Sequence, residues 1–479
     1  MHGLILAAFA ILYLGEEVGA PLTGGLGRWA VVWAAVAPAM IVGGVWCLSA
    51  REMRRLNRDG RIGRVRRVER IAGIARWLVL GVHAVAVGVF GLLAEIRIHV
   101  GDLIALDELL ALTPLILALA AIEFAIYPLE RRLRDAMMVR NLDQGRAIHP
   151  FPGRFRFVWL WARHNVFFIL IPLAILLAWS EAAFHLVPGS VEGGGGGEAW
   201  LVGLQVVGLA LVFALIPPLL VRIWDTVPLG PGGLRDGLEA MCRAHRVRVR
   251  DILVWRTGGL ILNGAAIGLV RPLRYIVLTD ALLEQMTREQ VLAVAAHEVG
   301  HMRYRHTIWL ALSVLAAVLA GGTISGWAIL GLERLRIITI GGGGEDAAVA
   351  VALVATLAGT LAVLGIVSRR FERQADAFAI RHLSGEDRAG EPVEIVPEAA
   401  LAMAGALQRV ADVHGIDVRH KAFRHGSILS RQRSLMAAVG RRSNELAADR
   451  AARRVRLAII GLLVLGIVLA AVDVVVGGG

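Results

Sequence analysis

The sequence predicts a mainly α-helical protein that crosses a membrane about nine times and carries a small α+β domain. The chain has 479 residues, of which 57% are hydrophobic, and a mean hydropathy of +0.64, well above that of a soluble domain. Its apolar residues are gathered in uncharged runs long enough to span a bilayer. Between Asp251 and Asp280, short apolar segments instead alternate with glycine turns, a pattern typical of strands.

The apolar runs divide the chain into spans and polar parts. The first run has almost no basic residues before it and no well-placed cleavage site after it, so we interpret it as a membrane helix and not a signal peptide. The predicted spans lie near residues 2–14, 29–49, 77–94, 109–127, 158–180, 200–222, 308–330, 347–367 and 457–476. The predicted regions are a multi-span part at 1–222, polar parts at 223–307 and 368–456, a transmembrane hairpin at 308–367 and a last helix at 457–479.

Arginine-rich segments predict the orientation of these spans. Residues 51–76 contain ten arginines, and residues 128–156 are again rich in arginine, so both are predicted to be cytoplasmic. Alternation then places the polar parts at 223–307 and 368–456 in the cytoplasm. The segments predicted to lie outside contain few arginines and no lysine, and they are 15–28, 95–108, 181–199 and 331–346. The charge distribution and the span count therefore agree.

The net charge of +12 comes almost wholly from arginine. Because these arginines lie beside apolar runs, the charge indicates contact with a lipid bilayer and not with a nucleic acid. The two cysteines, Cys47 and Cys242, cannot form a disulfide framework, and neither has metal-ligand spacing to other candidate ligands. Composition thus indicates a membrane protein but does not indicate which reaction, if any, it catalyses.

The first polar part contains a His-Glu-x-x-His motif, formed by His297, Glu298 and His301. Residues four apart on a helix project from one face, and Thr287 to Gln290 have the form of a capping box that would start such a helix. This spacing suits two ligands of one zinc ion, with the glutamate between them as a general base. The alternative is a pair of surface histidines on an ordinary helix.

The second polar part offers the rest of a zinc site. Glu372 can be the third protein ligand of one zinc ion per chain, with water in the fourth position, whose pKa zinc lowers to about 7. Asp376, one helical turn further on, can hold a ligand histidine by its other ring nitrogen. The alternative is a solvated helix face on which these acids pair with Arg369 and Arg373.

These motifs and their surroundings resemble the integral-membrane zinc peptidases, the family of the HtpX-type quality-control proteases and the CAAX prenyl endopeptidases. The resemblance rests on residues 368–377 after the zinc helix, and on residues 262–266 and 275–280 before it. It implies a cytoplasmic, zincin-like protease domain of the gluzincin type. It also implies a bacterial cytoplasmic membrane as the location and membrane-associated or unfolded proteins and peptides as substrates.

The resemblance implies further site residues. In this family a histidine and an arginine beyond the second motif lie near the site, and His425 and Arg431 stand in that region, the first as a catalytic residue and the second as an oxyanion or substrate contact. An edge strand around Asn263 is expected to pair with extended substrate. Four further histidines after the motif are predicted to lie on the surface or behind the ligands, and they are His306, His382, His414 and His420.

Two other functions stay open at this point. A CAAX-type processing peptidase, acting on lipidated C-termini, would use the same motifs. A membrane scaffold or transport protein with an inactive site would keep the same spans. The complete set of candidate ligands and the candidate base favour an enzyme, because in an inactive protein any one of these residues could be substituted without loss of function. The sequence therefore predicts a membrane-embedded zinc metalloendopeptidase.

Overall fold

The computed structural model describes residues 1–17, 27–60, 63–143, 150–186, 197–259, 261–337, 343–386 and 391–477. Two compact units make up the chain, Met1–Asp225 and Thr226–Gly479. Most of the described residues are helical, which confirms the prediction of a mainly α-helical protein.

Among the described residues of the first unit, all the regular structure is helical. Its helices are α1 (His2–Glu17), α2 (Gly27–Asp59), α3 (Gly63–Gly88), α4 (Leu92–Val100), α5 (Leu106–Asp143), α6 (Arg154–Ala162), α7 (Phe168–Leu186) and α8 (Gly197–Ile223). A π-helical segment, Arg163–Phe167, joins α6 to α7, so these elements form one continuous rod. A core of small and aliphatic side chains from α1 to α5 holds the unit together.

Two predicted boundaries in this unit were wrong. Helix α2 continues past the apolar run to Asp59, so most of the arginines at 51–76 lie on α2 and α3 and not in a loop. Buried Glu52 lies in this extension, where its carboxylate pairs with Arg55 (3.0 Å) and Arg64 (2.9 Å). The span predicted at 77–94 instead ends at Gly88, and the left-handed residue Gly91 (φ +67°) precedes the separate helix α4.

The second unit contains a four-stranded sheet. Its strands are β1 (Thr226–Pro228), β2 (Asp251–Trp255), β3 (Gly264–Ile267) and β4 (Tyr275–Thr279), in the spatial order β1-β2-β4-β3. Strands β2 and β4 are parallel, and the two outer pairs are antiparallel. The predicted strands correspond to β2, β3 and β4, whereas β1, only three residues long, was missed. Strand β3 therefore lies at an edge of the sheet.

The second unit contains eight described α-helices. They are α9 (Gly233–Ala244), α10 (Asp280–Gln285), α11 (Arg288–Arg303), α12 (His306–Arg334), α13 (Gly343–Leu383), α14 (Pro397–His414), α15 (Ile428–Met436) and α16 (Ala447–Gly477). Helices α10 and α11 contact the sheet. Helix α11 lies at the centre, where Ala293, Ala296 and Val299 are fully buried. The apolar pattern of residues 428–448 predicts a single helix, but α15 ends at Met436, and beyond it Gly440 adopts φ +73° with its amide bonded to the Ile395 carbonyl (3.0 Å).

Seven helices among the described residues are long and apolar enough to cross a membrane. They are Trp29–Asp59, Gly63–Gly88, Leu106–Ala136, Arg154–Phe184, Gly203–Ile223, His306–Arg334 and Val351–Leu383. The run predicted at 2–14 forms a shorter apolar helix, Gly3–Leu12, and the run at 457–476 lies within α16. The polytopic membrane fold is confirmed, with seven described spans where nine were predicted.

Candidate metal centre

Helix α11 carries both histidines of the motif and begins with a complete capping box. The Thr287 hydroxyl accepts a hydrogen bond from the Gln290 amide (3.4 Å), and the Gln290 side chain accepts one from the Thr287 amide (3.2 Å). A helix that starts here projects His297 and His301 from one face. His297 is buried and His301 is half-buried.

Helix α13 approaches α11 closely at Gly300. A Cβ atom at this position would lie 3.1 Å from Phe378 Cδ1 and 3.3 Å from Ala375 Cα, so any side chain would push the two helices apart. The close approach brings the buried carboxylate of Glu372 beside His297 and His301. The close packing of α11 against α13 thus explains why position 300, before the second histidine, is a glycine.

Three side chains form a triangle of potential metal ligands. The Nε2 atoms of His297 and His301 lie 3.1 Å apart, and each lies 3.6 Å from an oxygen of Glu372. Zinc held tetrahedrally at about 2.1 Å requires neighbouring ligand atoms about 3.4 Å apart. The donor set and its spacing therefore fit one zinc ion held by His297, His301 and Glu372.

Behind His297 lies a buried cluster of charged side chains. The Nδ1 atom of His297 lies 2.9 Å from Asp376 Oδ1, although the two are not aligned as a hydrogen bond. Arg431 donates two hydrogen bonds to Asp376, from Nε (2.8 Å) and Nη2 (2.6 Å). Arg369 and Arg373 instead contact Phe423 and Ser430, so the alternative of a solvated acidic face does not fit.

Arg431 was predicted to contact an oxyanion or substrate. Its third nitrogen, Nη1, lies 3.3 Å from Glu372 Oε2, so all three guanidinium nitrogens face carboxylates. Burial opposes the charge, but Asp376 and Glu372 raise the pKa of Arg431 above its ordinary value and keep it a cation. The contacts favour a role in positioning these two carboxylates over the predicted contact with substrate.

Glu298 faces the edge strand of the sheet. Its Oε2 atom accepts a hydrogen bond from the Ala266 amide on β3 (2.8 Å). Burial raises the pKa of Glu298 above its ordinary value. Asn263, just before β3, is exposed, and its main chain bonds to Thr279 on β4. Its predicted contact with substrate stays a prediction.

His425 lies at the same centre, although it is far along the chain. Its Nδ1 atom is 3.0 Å from Glu372 Oε1, and its side chain is 55% exposed. The loop that carries it is tied to α13, because Arg369 donates a hydrogen bond to the Phe423 carbonyl (2.8 Å). The structure thus brings together His425 and the three candidate ligands.

His306 was predicted to lie on the surface or behind the ligands, and the structure places it behind His301. It is fully buried, with Nδ1 3.0 Å from His301 Nδ1 and Nε2 3.0 Å from Gln374 Oε1. The available signal was a third histidine five residues after the motif, at the start of an apolar run. Its partner Gln374 comes from another helix, and this pairing cannot be read from local spacing.

Comparisons with known proteins agree with this geometry. The model of peptidase family M48 matches residues 260–414. A protease HtpX homolog of Aeropyrum pernix is 30% identical over 215 residues, 43% of this chain and 62% of that protein. A CAAX prenyl protease 1 homolog of Oryza sativa subsp. japonica is 28% identical over 236 residues, 46% of this chain and 53% of that protein. The chain therefore spans less than two thirds of the length of each relative.

Among solved structures, the crystal structure of S. mikatae Ste24p is similar with a TM-score of 0.42 and 16% identity, covering 88% of this chain and 100% of that one. The family match coincides with the part of the chain that contains the edge strand, the histidine motif and the third candidate ligand. The match to the family model and the two relatives confirm the resemblance drawn from the motifs, and residues 260–414 match peptidase family M48.

Proposed function

We propose that this protein is a zinc-dependent metalloendopeptidase that hydrolyses peptide bonds of membrane-associated or unfolded proteins at the cytoplasmic membrane surface. The observation that carries the proposal is the triangle of His297, His301 and Glu372, whose ligand atoms lie within 4.8 Å of one another. Glu298, one residue after the first histidine, supplies a carboxylate next to this triangle. The family match supports the same class of reaction.

The proposed chemistry assigns a role to each side chain. His297, His301 and Glu372 would hold zinc, which when bound polarises the substrate carbonyl and lowers the pKa of water to about 7. Glu298 takes the proton from the attacking water and passes it to the departing amine. His425 is assigned to the oxyanion that develops on the substrate, because it is exposed and adjoins the ligand carboxylate.

The edge strand supports a peptide substrate. In an antiparallel pair, the main-chain N–H and C=O groups of successive residues point alternately towards and away from the neighbouring strand. Because the Asn263 carbonyl bonds to Thr279 on β4, the main-chain groups of Gly264 and Ala266 point away from β4, towards the open edge. An extended peptide can add to such an edge through main-chain hydrogen bonds, which depend little on its side chains. Since the Ala266 amide already contacts Glu298 (2.8 Å), the added strand would lie beside the general base.

The candidate ligands lie close to two candidate spans. Helix α12 begins at His306, only a few residues after His301, and Glu372 lies on α13 just past the apolar part of that helix. A protease centre at the ends of two spans can reach segments at the bilayer surface. This supports membrane proteins as substrates and the lipid bilayer as a partner.

A CAAX-type processing activity is the second candidate, because relatives from Oryza sativa and Arabidopsis thaliana are named CAAX prenyl protease 1 homologs. Cleavage of an unfolded membrane protein and of a prenylated C-terminal peptide can be compared on one preparation. Preference for the prenylated peptide by a factor of ten or more would favour this second function. An inactive scaffold is disfavoured by the complete set of ligands and base.

Zinc content tests the proposal directly. Purified protein is expected to hold about one zinc per chain, and alanine at His297, His301 or Glu372 should lower occupancy sharply, since each substitution removes one of three protein ligands. Elemental analysis of gel-filtered protein measures this, with His414→Ala, an exposed histidine of the same unit, as the matched control. Full zinc retention in Glu372→Ala would exclude Glu372 as a ligand.

The cytoplasmic orientation is a separate proposal, based on the arginine-rich segments. In a Cys47→Ala/Cys242→Ala background, a membrane-impermeant thiol reagent added to intact cells should label Leu335→Cys and leave Arg441→Cys unlabelled. Both positions are exposed, and they are predicted to lie on opposite sides of the membrane. Lysed cells, in which both should react, provide the control. Labelling of Arg441→Cys in intact cells contradicts the orientation.

A further inference from the structure

His306 belongs to a chain of polar side chains that runs from His301 to the C-terminal helix α16. Gln374 Oε1 faces His306 Nε2 (3.0 Å) and also accepts a hydrogen bond from Arg456 Nη2 (2.9 Å). Gln374 Nε2 donates to Asp449 Oδ1 (2.6 Å). Asp449 and Arg456 both lie on α16, so this helix contacts both ends of the Gln374 amide.

The two contacts from α16 determine how the amide is oriented. Arginine can only donate and a carboxylate can only accept, so the amide oxygen of Gln374 must point towards Arg456 and its nitrogen towards Asp449. Arg381 donates to the other Asp449 oxygen (2.7 Å) and fixes that carboxylate in turn. His306 therefore meets an acceptor at its Nε2 atom.

This orientation sets the protons on both histidines. Because His306 is fully buried and faces no carboxylate of the described residues, we take its ring as neutral. A neutral His306 carries its proton on Nε2 to donate to Gln374, which leaves its Nδ1 as an acceptor. His301 must then donate from its own Nδ1 across the 3.0 Å contact, so its Nε2 is unprotonated. That Nε2 is the atom directed at His297 and Glu372 in the ligand triangle.

We propose that α16 fixes the metal-binding form of His301 through His306 and Gln374, which act as positioning residues. This inference rests on the proposed zinc site. The two histidine ligands then have different partners at their Nδ1 atoms. His297 lies against the carboxylate of Asp376, whereas His301 bonds to the neutral imidazole of His306. The C-terminal helix is thereby a part of the metal centre, although it supplies no ligand.

A packing role is the competing explanation, because the His306 ring is also stacked on Phe371 with 4.5 Å between ring centroids and an interplanar angle of 3°. His306→Phe keeps an aromatic ring for this stacking and removes both nitrogens. Gln374→Met keeps the length of the side chain and removes the amide. His382→Phe is the matched control, since His382 is also a helical histidine that bonds to another histidine, His245 (3.0 Å).

The experiment measures the zinc dissociation constant of the full-length protein in detergent by competition with a chelator, and the absorption spectrum of the cobalt(II)-loaded protein. His306→Phe should weaken zinc binding about 10- to 100-fold and change the cobalt spectrum. Gln374→Met should weaken binding less. The double variant should bind no more weakly than His306→Phe alone, because Gln374 acts only through His306. His382→Phe should match the wild type.

Wild-type zinc affinity in His306→Phe, or additive effects of the two substitutions, would overturn the inference and leave a packing role. If His306→Phe does not fold, Gln374→Met decides the question alone, and unchanged zinc affinity in that variant rejects the inference. Failure of the wild-type protein to bind zinc would instead reject the proposed function. The two failures are therefore distinguishable.

Discussion

Glu298→Gln is expected to leave zinc bound while peptide hydrolysis falls by a factor of about 100 to 10,000. Glutamine keeps the size of the side chain and can still accept the hydrogen bond from the Ala266 amide, but it cannot take a proton from water. The side chain lies outside the triangle of His297, His301 and Glu372, so the ligand set is unchanged. This variant should therefore lose peptidase activity while it keeps its zinc.

The measurement uses an unfolded or membrane-protein substrate, with zinc content determined on the same sample. Glu289→Gln is the matched control, since Glu289 is an exposed glutamate on the same helix and its replacement should change neither quantity. A Glu298→Gln protein that holds zinc and cleaves at the wild-type rate would show that Glu298 is not the general base. A variant that loses zinc as well would indicate that Glu298 supports the ligand helix.

The spacing of residues along the chain was enough to predict the site residues that lie on one helix. His297, Glu298 and His301 lie within one helical turn or so, and the capping box that starts their helix is also a local pattern. Glu372 required a second motif, because its approach depends on the packing of α13 against Gly300. The triangle of ligand atoms forms only when α11 and α13 pack together in the tertiary structure.

The partners of Arg431 and His306 could not be predicted from sequence patterns. Arg431 is separated from Asp376 by 55 positions, and its contacts with Asp376 and Glu372 appear only in the fold. For His306 the sequence left open a surface position or one behind the ligands, because its partner Gln374 lies on α13 and is held by residues of α16. Buried polar networks of this kind join elements distant in sequence, so helical periodicity carries no signal for them.

The span count shows a different limit. Hydropathy located every long apolar run, but it does not determine where a helix ends. Helix α2 extends to Asp59, beyond the apolar residues, and there Glu52 pairs with Arg55 on the same helix and with Arg64 on α3. The run at 2–14 lies on α1, which has 16 described residues, whereas a transmembrane helix has about 20.

Arg431→Met is expected to lower the free energy of unfolding by about 3–5 kcal/mol, because it leaves buried carboxylates without their cation. Asp376 and Glu372 are 4% and 5% exposed, so water cannot replace the lost hydrogen bonds. Arg431→Lys should fall between this variant and the wild type, since lysine keeps the charge but cannot form the paired bonds from Nε and Nη2 to Asp376.

The double variant Arg431→Met/Asp376→Leu separates stability from metal binding. Replacing a buried ion pair by apolar side chains of similar volume is often neutral for stability, so this variant should recover much of the apparent melting temperature lost in Arg431→Met. Its zinc affinity should stay weakened about 10- to 100-fold, because His297 has lost the carboxylate next to its Nδ1. Melting curves at one scan rate and zinc competition on the same detergent-solubilised samples measure both quantities. An Arg431→Met protein as stable as the wild type, or a double variant with wild-type zinc affinity, contradicts the positioning role assigned to this ion pair.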